Sequence, residues 1–410
     1  MIEGKGVWIL LLCLGSTVSQ IVLGYYANSA KYRAEAGQFE LSQLNTSFLT
    51  HVAYAFANPD SDGNLQPIEP SDLKEYERFR QIAKRRNPNV KVMLSIGGWA
   101  FNSNPDTNKI FSNIVADAGK RASFVSSTIQ YARTHGFEGI DFDWEFPGLE
   151  AQGGTVNDKD GLTALLQLWH QSIVQESERS NLVPLLLTLA VPANLNNARK
   201  GYDVSKIQQY VDEFIVMAYE LHGPWQPTTG IHTDFVLSKK AVEYYIDQGV
   251  PARKILYGFA TYGRSFSVNG SDPRVGIQVT GAGIPGKYTR EPSLLSYYEI
   301  LEKASLDGSR TGSDETQMGA ILTFEDQWVG YDTPETISAK IAWVKEMNLG
   351  GAMIWSIDLD DFRNGYPLCV AVAEDLIEII VYESENSGVQ GNPSWNVIFV
   401  GLVFFLSFLI

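Results

Sequence analysis

Acids stand at every second position in Gly139-Ile140-Asp141-Phe142-Asp143-Trp144-Glu145-Phe146-Pro147-Gly148. In a β-strand successive side chains face opposite ways, so Asp141, Asp143 and Glu145 project from one face and Ile140, Phe142, Trp144 and Phe146 from the other. A half-exposed strand would turn its acids to water. Phe137 before the run and the Pro147-Gly148 stop after it argue instead for a buried strand with its acids pointing inward. Carboxyl groups held that close cannot all ionise comfortably, and at least one keeps its proton near neutral pH. A carboxylic acid that stays protonated is what cleavage of a glycosidic bond requires.

The elements that would hold these acids can be read from periodicity. Strand-like apolar runs occur at Gln20 to Tyr26, His51 to Ala57, Val90 to Ile96, Gly139 to Glu145, Pro184 to Val191, Glu213 to Tyr219, Ile255 to Thr261 and Gly351 to Ile357. Between them lie segments with apolar residues at helical spacing, among them Ser71 to Arg86, Arg121 to Thr134, Asp160 to Glu178, Asp234 to Gln248 and Thr336 to Met347. Eight alternating units predict an α/β fold, a (β/α)8 TIM barrel, whose chemistry sits at the carboxyl ends of the strands. Glu145 then closes the fourth strand. The connection from 263 to 325, about 60 residues, is too long to be structureless, so it is expected to form an inserted α+β subdomain between the seventh strand and the seventh helix. Residues 20–380 thus make one catalytic domain.

The 410 residues are 44% hydrophobic and 19% charged, enough for a large core and too little charge for disorder. A net charge of -15 with no basic run excludes nucleic acid as the expected partner. Residues 1–19 read as a secretory signal peptide, with Lys5, an apolar run from Trp8 to Leu14 and small residues before Gln20. At the other end, a polar spacer (381–395) holds the small trio Asn386-Ser387-Gly388, and a hydrophobic tail (396–410) runs to the last residue. That order is the pattern of a GPI anchor, attached at Asn386 or Ser387 on the outer face of the plasma membrane; a short membrane-spanning tail and a soluble secreted form are the alternatives. Asn45-Thr46-Ser47 and Asn269-Gly270-Ser271 are glycosylation acceptors consistent with that route. Once Cys13 leaves with the signal, Cys369 is alone, and no internal disulfide can form. The few histidines lack ligand spacing, so neither a metal nor an organic cofactor is implied.

Several further stretches fall in order along the chain: Val52 to Phe56, Lys91 to Trp99, Met217-Ala218-Tyr219, Thr261 to Phe266, Pro285 to Thr289 and Gly350 to Asp360. With the acidic strand, they make the mature chain resemble glycoside hydrolase family 18, the animal chitinase and chitinase-like group, nearly from end to end. The resemblance implies substrate-assisted hydrolysis of β-1,4-linked N-acetylglucosamine polymers or oligomers, in an endo-acting, retaining mode. Glu145 matches the general acid, and the substrate's own acetamido oxygen replaces a protein nucleophile, so two facing carboxylates are not needed. Asp143 would turn towards Glu145 and the acetamido N–H, and Asp141 would share a proton with Asp143. Tyr219 matches the tyrosine that hydrogen-bonds the acetamido oxygen, with Met217 lining the same pocket. Trp355, Trp99 and Trp225, placed at strand ends, match aromatic platforms for sugar rings. Tyr25 and Arg264 match cleft residues more loosely, and His51 and His222 near strand ends are structural or cleft-lining.

Some positions depart from the group. Glu138 replaces an Asp ahead of the strand's inward acids. Glu220 replaces the Asp that usually follows the tyrosine and touches substrate, and its extra methylene is expected to press on the sugar site. Ser29 and Ala100 replace a tryptophan and an asparagine, which weakens the expected hold on long chains. Gly24, Leu49 and Leu301 stand where the group has cysteines, so its two disulfides are absent. Two functions follow: an active chitinase at the cell surface, or a non-catalytic lectin on the same fold. For the anchor, phosphatidylinositol-specific phospholipase C should release the protein from the surface of expressing cells; a protein that stays on the cells after complete digestion lacks that anchor.

Overall fold

A computed structural model describes residues 20–377. The signal segment, the spacer with Asn386 and Ser387, and the hydrophobic tail lie outside the described residues. Eight parallel strands close into a barrel: β1 (Ile21–Ala27), β2 (His51–Pro59), β3 (Lys91–Gly97), β4 (Gly139–Asp143), β5 (Leu186–Pro192), β6 (Glu213–Met217), β7 (Ile255–Ala260) and β8 (Gly351–Trp355). Each pairs with the next in sequence, and β8 pairs back with β1.

Strand residues alternate between two apolar layers. Val22 and Tyr26 of β1, Val52 and Tyr54 of β2, and Phe214 and Val216 of β6 join the large core under the helices. Their neighbours Leu23, Tyr25, Ala53, Ala55, Ile215 and Met217 fill the barrel interior. Being buried on both faces is why these strands read as continuous apolar runs rather than as alternating ones. Ile140 and Phe142 of β4, with Trp144 just past its end, point outward into an aromatic box, where Phe142 lies 5.5 Å from Trp169 and 5.0 Å from Phe111 by ring centroid.

The expected helices are present as Asp72–Arg86, Ala118–His135, Asp158–Ser180, Phe235–Asp247 and Pro334–Glu346. Their ends follow local chemistry. Asp117 accepts the Lys120 N–H at the start of Ala118–His135, and Gly136 ends it in the left-handed region at φ 73°. The ring is irregular: only 3-10 turns join β1 to β2, and two short helices, Leu195–Gly201 and Val204–Ile207, join β5 to β6.

Between β7 and β8 lies an antiparallel sheet built of Tyr262–Val268, Val279–Ala282, Leu294–Ser296, Arg310–Asp314, Gly319–Phe324 and Gln327–Tyr331, with one helix, Tyr297–Ala304. It extends past the expected limit at 325. Glu325-Asp326 is the tip of a hairpin pairing Phe324 with Gln327, and a further strand follows; with Glu325 at φ 50° and no glycine, the turn carries no sequence signal. A buried ion pair ties the sheet's end to the barrel layer. Lys340 Nζ lies 2.7 Å from Asp332 Oδ1 and donates to the Thr233 carbonyl at 2.9 Å.

Where cysteines were expected by resemblance, packing has taken over. A Cβ on Gly24 would lie 3.0 Å from Leu49 Cδ1, so Leu49 occupies the space a bridge would fill. Leu301 is exposed, and Cys369 is buried and free.

The turn after β3 requires glycine for two reasons. Gly97 has φ 111°, and a Cβ there would lie 2.1 Å from the Asp143 carbonyl oxygen. Gly249 has a similar φ of 97° with nothing within 4 Å of its missing Cβ. Gly97→Ala should therefore destabilise the fold in chemical denaturation by about 2 kcal/mol more than Gly249→Ala, the excess reporting the clash. Equal losses would show that the approach of β4 to Gly97 is not tight.

Candidate active site

The acids of β4 point into the barrel. Asp141 is completely buried and Asp143 is 7% exposed, while Glu145 is half-buried. The strand ends at Asp143, so Glu145 does not close it as expected but lies two residues beyond, on the rim. Alternation stops there too: Phe146 packs with the barrel-interior cluster and not with the outward residues. The segment carrying Glu145 is held by its backbone. The Asp143 carbonyl accepts from the Gly98 N–H at 2.9 Å and from Asn102 Nδ2 at 3.3 Å, and the Trp144 carbonyl accepts from the Tyr202 hydroxyl at 3.2 Å.

Parallel register gives Asp141 its partners. Ser95 of β3 and Thr188 of β5 stand directly beside it, and their hydroxyls donate at 2.6 and 2.7 Å. The Tyr25 hydroxyl adds a third bond at 2.7 Å. Burial raises the Asp141 pKa, and these hydroxyls pull it back. Among the described residues no hydrogen bond joins Asp141 to Asp143; the three bonds Asp141 accepts come from hydroxyls. Asp143 Oδ1 is buried without a partner. Burial, then the charges of Glu145 and Asp141, hold the Asp143 pKa well above the carboxylate range. Burial and the charge of Glu220 push Glu145 up to about 8, against a pull from the Trp99 N–H.

Aromatic groups surround this column. Trp355, half-buried at the end of β8, meets the Tyr25 ring edge-on at 5.3 Å and the Phe56 ring at 5.6 Å. Tyr25 thus links the tryptophan to the deepest acid. Tyr219, two residues past β6, is half-buried with its ring 6.3 Å from Tyr262, and Met217 ends β6 at 8% exposure. Burial raises the Tyr219 pKa, and so do the charges of Asp143 and Glu145. Trp99, 54% exposed, begins the short helix Trp99–Ser103 that follows the Gly97-Gly98 turn. Trp225, 61% exposed, is not at a strand end as expected but in the loop after β6.

Glu220 is exposed, and its carboxylate has definite partners: Tyr262 Oη donates at 2.7 Å and Arg264 Nη2 at 2.5 Å. Arg264 also lies 3.5 Å from Glu291. The extra methylene thus reaches groups of the inserted sheet. Sequence reading gives no role to Ser95, Thr188, Phe56, Tyr202 or Tyr262. For Ser95 and Thr188, register was the available signal, since both are inward positions flanking Asp141. His51 lies at the amino end of β2, opposite the acids, beside the Thr50 hydroxyl at 2.8 Å; it lines no cleft. Of the acceptor sequons, Asn269 is exposed, and Asn45 is half-buried with Oδ1 accepting the Ser47 N–H at 3.1 Å. No cluster of metal-ligating side chains occurs among the described residues.

Chemically, this is a glutamate of raised pKa at the barrel rim, two buried acids on the strand that leads to it, and aromatic surfaces on which an apolar sugar face can stack. In a carboxyl ¹³C titration, Glu145 should lose its proton near pH 8, and Glu220→Gln should move that midpoint to lower pH by removing a neighbouring negative charge. A midpoint unchanged by the substitution would mean that burial alone sets it.

Comparisons with known proteins agree with one another. The profile described as "Glycosyl hydrolases family 18" matches residues 21–360. Chitotriosidase-1 of Mus musculus is 36% identical over 391 residues, covering 90% of this chain and 81% of that protein. The immunomodulatory active chitinase of Trichuris suis superposes with a TM-score of 0.80 at 29% identity, covering 87% of this chain and 99% of that one. Human YKL-39, described as a pseudo-chitinase with retained chitooligosaccharide binding properties, superposes with a TM-score of 0.79 at 29% identity, covering 87% of this chain and 100% of that one.

Proposed function

The chain belongs to glycosyl hydrolase family 18, and from that premise we propose that it is an endo-acting chitinase that hydrolyses β-1,4-linked N-acetylglucosamine chains with retention. The observation that carries the reading is Glu145: a carboxyl at the rim, two residues past the strand that holds two buried aspartates, whose pKa burial and the charge of Glu220 raise to about 8. A general acid must be protonated where it works, and a raised pKa favours that form.

In the proposed reaction Glu145 gives its proton to the glycosidic oxygen as the bond to the anomeric carbon breaks. The acetamido carbonyl oxygen of the same sugar forms the new bond to that carbon, giving a cyclic oxazolinium. Asp143, whose Oδ1 has no protein partner, is free to accept the acetamido N–H. Tyr219 directs its hydroxyl to the acetamido oxygen, and burial among carboxyl groups keeps that hydroxyl protonated. Water then attacks the anomeric carbon, Glu145 takes its proton, and the ring opens with retained configuration. Asp141, fixed by three hydroxyls, sets the field under Asp143 without touching the sugar. Trp355 is the floor for the reacting ring. Trp99, Trp225, Arg264 and Glu220 contact neighbouring rings.

The proposed setting is the outer face of the plasma membrane; its support is the order of small residues, spacer and apolar tail in the sequence. A second reading, a lectin that binds chitin oligomers without cleaving them, draws on the likeness to YKL-39. The retained trio Asp141, Asp143 and Glu145 favours catalysis.

The test is turnover of chitotriose and chitotetraose by the purified ectodomain beside its Glu145→Gln variant. Loss of the general acid should cut kcat by roughly 10²- to 10⁴-fold, and cellulose oligomers, which lack the acetamido nucleophile, should not react. Equal rates for the two proteins leave the lectin reading, and efficient cleavage of cellulose oligomers rules out the substrate-assisted route.

A further inference from the structure

The loop after β6 carries Trp225 on a tip, Gly223–Gln226, with few ties. Below it, the Leu221 N–H donates to the His232 carbonyl at 2.9 Å; beyond it, the Pro227 carbonyl accepts the Val279 N–H at 2.9 Å. Within the tip, the Gln226 N–H donates to the Gly223 carbonyl at 3.0 Å. The tip's side-chain hydrogen bonds all belong to Gln226: Oε1 lies 2.8 Å from His222 Nδ1, and Nε2 is 3.5 Å from the Leu221 carbonyl. The other nitrogen of His222, Nε2, is 3.1 Å from Asp234 Oδ2.

Both groups facing the His222 ring are acceptors. A neutral imidazole has one N–H and can satisfy one of them; an imidazolium has two and satisfies both. His232, ten residues on, shows the opposite pattern. Its Nε2 faces the Tyr262 carbonyl at 2.9 Å while Nδ1 receives the Glu220 N–H at 3.4 Å, the arrangement of a neutral ring. Space is reserved for both rings of the latch region. A Cβ on Gly230 would lie 2.5 Å from His222 Cγ, and one on Gly223 would lie 2.1 Å from Trp225 Cη2. The histidine therefore packs against Gly230, and the tryptophan lies back over Gly223.

We propose that His222, as an imidazolium bridging Asp234 and Gln226, is the latch that seats the Trp225 platform, so that sugar binding at this platform tightens when His222 is protonated. The proposal rests on the reading of Trp225 as a sugar platform. His222 is a positioning residue here: it acts through the tip. Asp234, the cap of helix Phe235–Asp247, is the charged group facing it, and His232 is the other titratable neighbour. Burial opposes the charge on His222, but the bonds to Asp234 and Gln226 outweigh it and raise its pKa above the ordinary imidazole value. Burial and Arg264 push His232 down to about 3, so it stays neutral throughout. With the folded pKa raised, the latch is complete below it and is lost as pH rises through it.

The experiment measures chitotetraose affinity by calorimetry at pH 5.5 and pH 8.5 in the full ectodomain carrying Glu145→Gln, which removes the titration of that acid and all turnover. Affinity should be about three- to ten-fold tighter at the lower pH, the worth of one hydrogen bond. Adding Gln226→Leu, or His222→Gln, should abolish that ratio. A second readout needs no sugar: acrylamide quenching of Trp225, obtained by difference from Trp225→Phe, should increase through the His222 titration in the parent and be pH-independent in Gln226→Leu. A ratio and a quenching step that survive Gln226→Leu overturn the latch alone. A protein that binds no oligomer at either pH overturns the sugar-binding reading and the latch with it.

Discussion

The site depends on which way β4 faces. Phe142 and Trp144 are locked into a box of Phe111, Phe124 and Trp169, with ring centroids at 5.0 to 6.4 Å. Contacts of this kind contribute about 0.5–1.5 kcal/mol per pair beyond the area they bury. A one-residue slip would turn these rings into the barrel and drive carboxylates into the aromatic box, at a cost of several kcal/mol for each unpaired charge. The outward face therefore commits the inward face. Acids that would destabilise the core as free charges are kept because the other side of the strand leaves no alternative register.

Once inside, the acids are differentiated by depth. Asp141 has three hydroxyl donors, Asp143 has an oxygen with none, and Glu145 stands past the ladder on the rim. Satisfying a buried carboxylate with hydroxyls favours its charged form, while leaving one bare favours the neutral form. One strand thus presents a fixed base layer, a responsive middle group and a proton donor at the opening. Glu220 adds to the last of these from another direction. Its charge is anchored by Tyr262 and Arg264 of the inserted sheet, so the insertion contributes to the field at Glu145 as well as to the wall of the cleft.

Much of this is legible in the sequence, and the boundary is physical. Strand positions and the inward acids are local properties of sequence: a period of two on β4, and apolar runs elsewhere. The barrel follows because eight such units have few other ways to bury both faces of a parallel sheet. The end of β4 at Asp143 is not local, since it depends on where the β3 ladder stops, with Asp143 opposite Gly97. Register likewise hid Ser95 and Thr188, whose hydroxyls matter only because Asp141 lies between them. The partners of Glu220 are 42 and 44 residues away in sequence, across a turn into another sheet. The last hairpin of the insertion carries no local signal, because Glu325 takes a positive φ without the glycine or asparagine that announces such a turn.

The loss of covalent ties is the remaining question for a chain whose relatives by resemblance carry disulfides. A bridge stabilises mainly by restricting the unfolded chain, whereas a buried side chain stabilises by removing apolar area from water. Leu49, fully buried against the open face of Gly24, can supply about 1.5–3 kcal/mol by burial, comparable with the typical 2–4 kcal/mol of a bridge. The second place is different, because Leu301 is exposed and Cys369 is buried without it. There the surrounding segment is secured by polar contacts: Asp360 Oδ2 accepts the Cys369 N–H at 2.8 Å, and the Arg33 guanidinium holds Asp358 at 2.6 Å. Both sets of contacts lie next to β1 and β8, the strands whose pairing closes the barrel and brings Tyr25 against Trp355. The seam that must stay shut for the acids to be covered is thus held by packing and ion pairing, which do not depend on an oxidising environment.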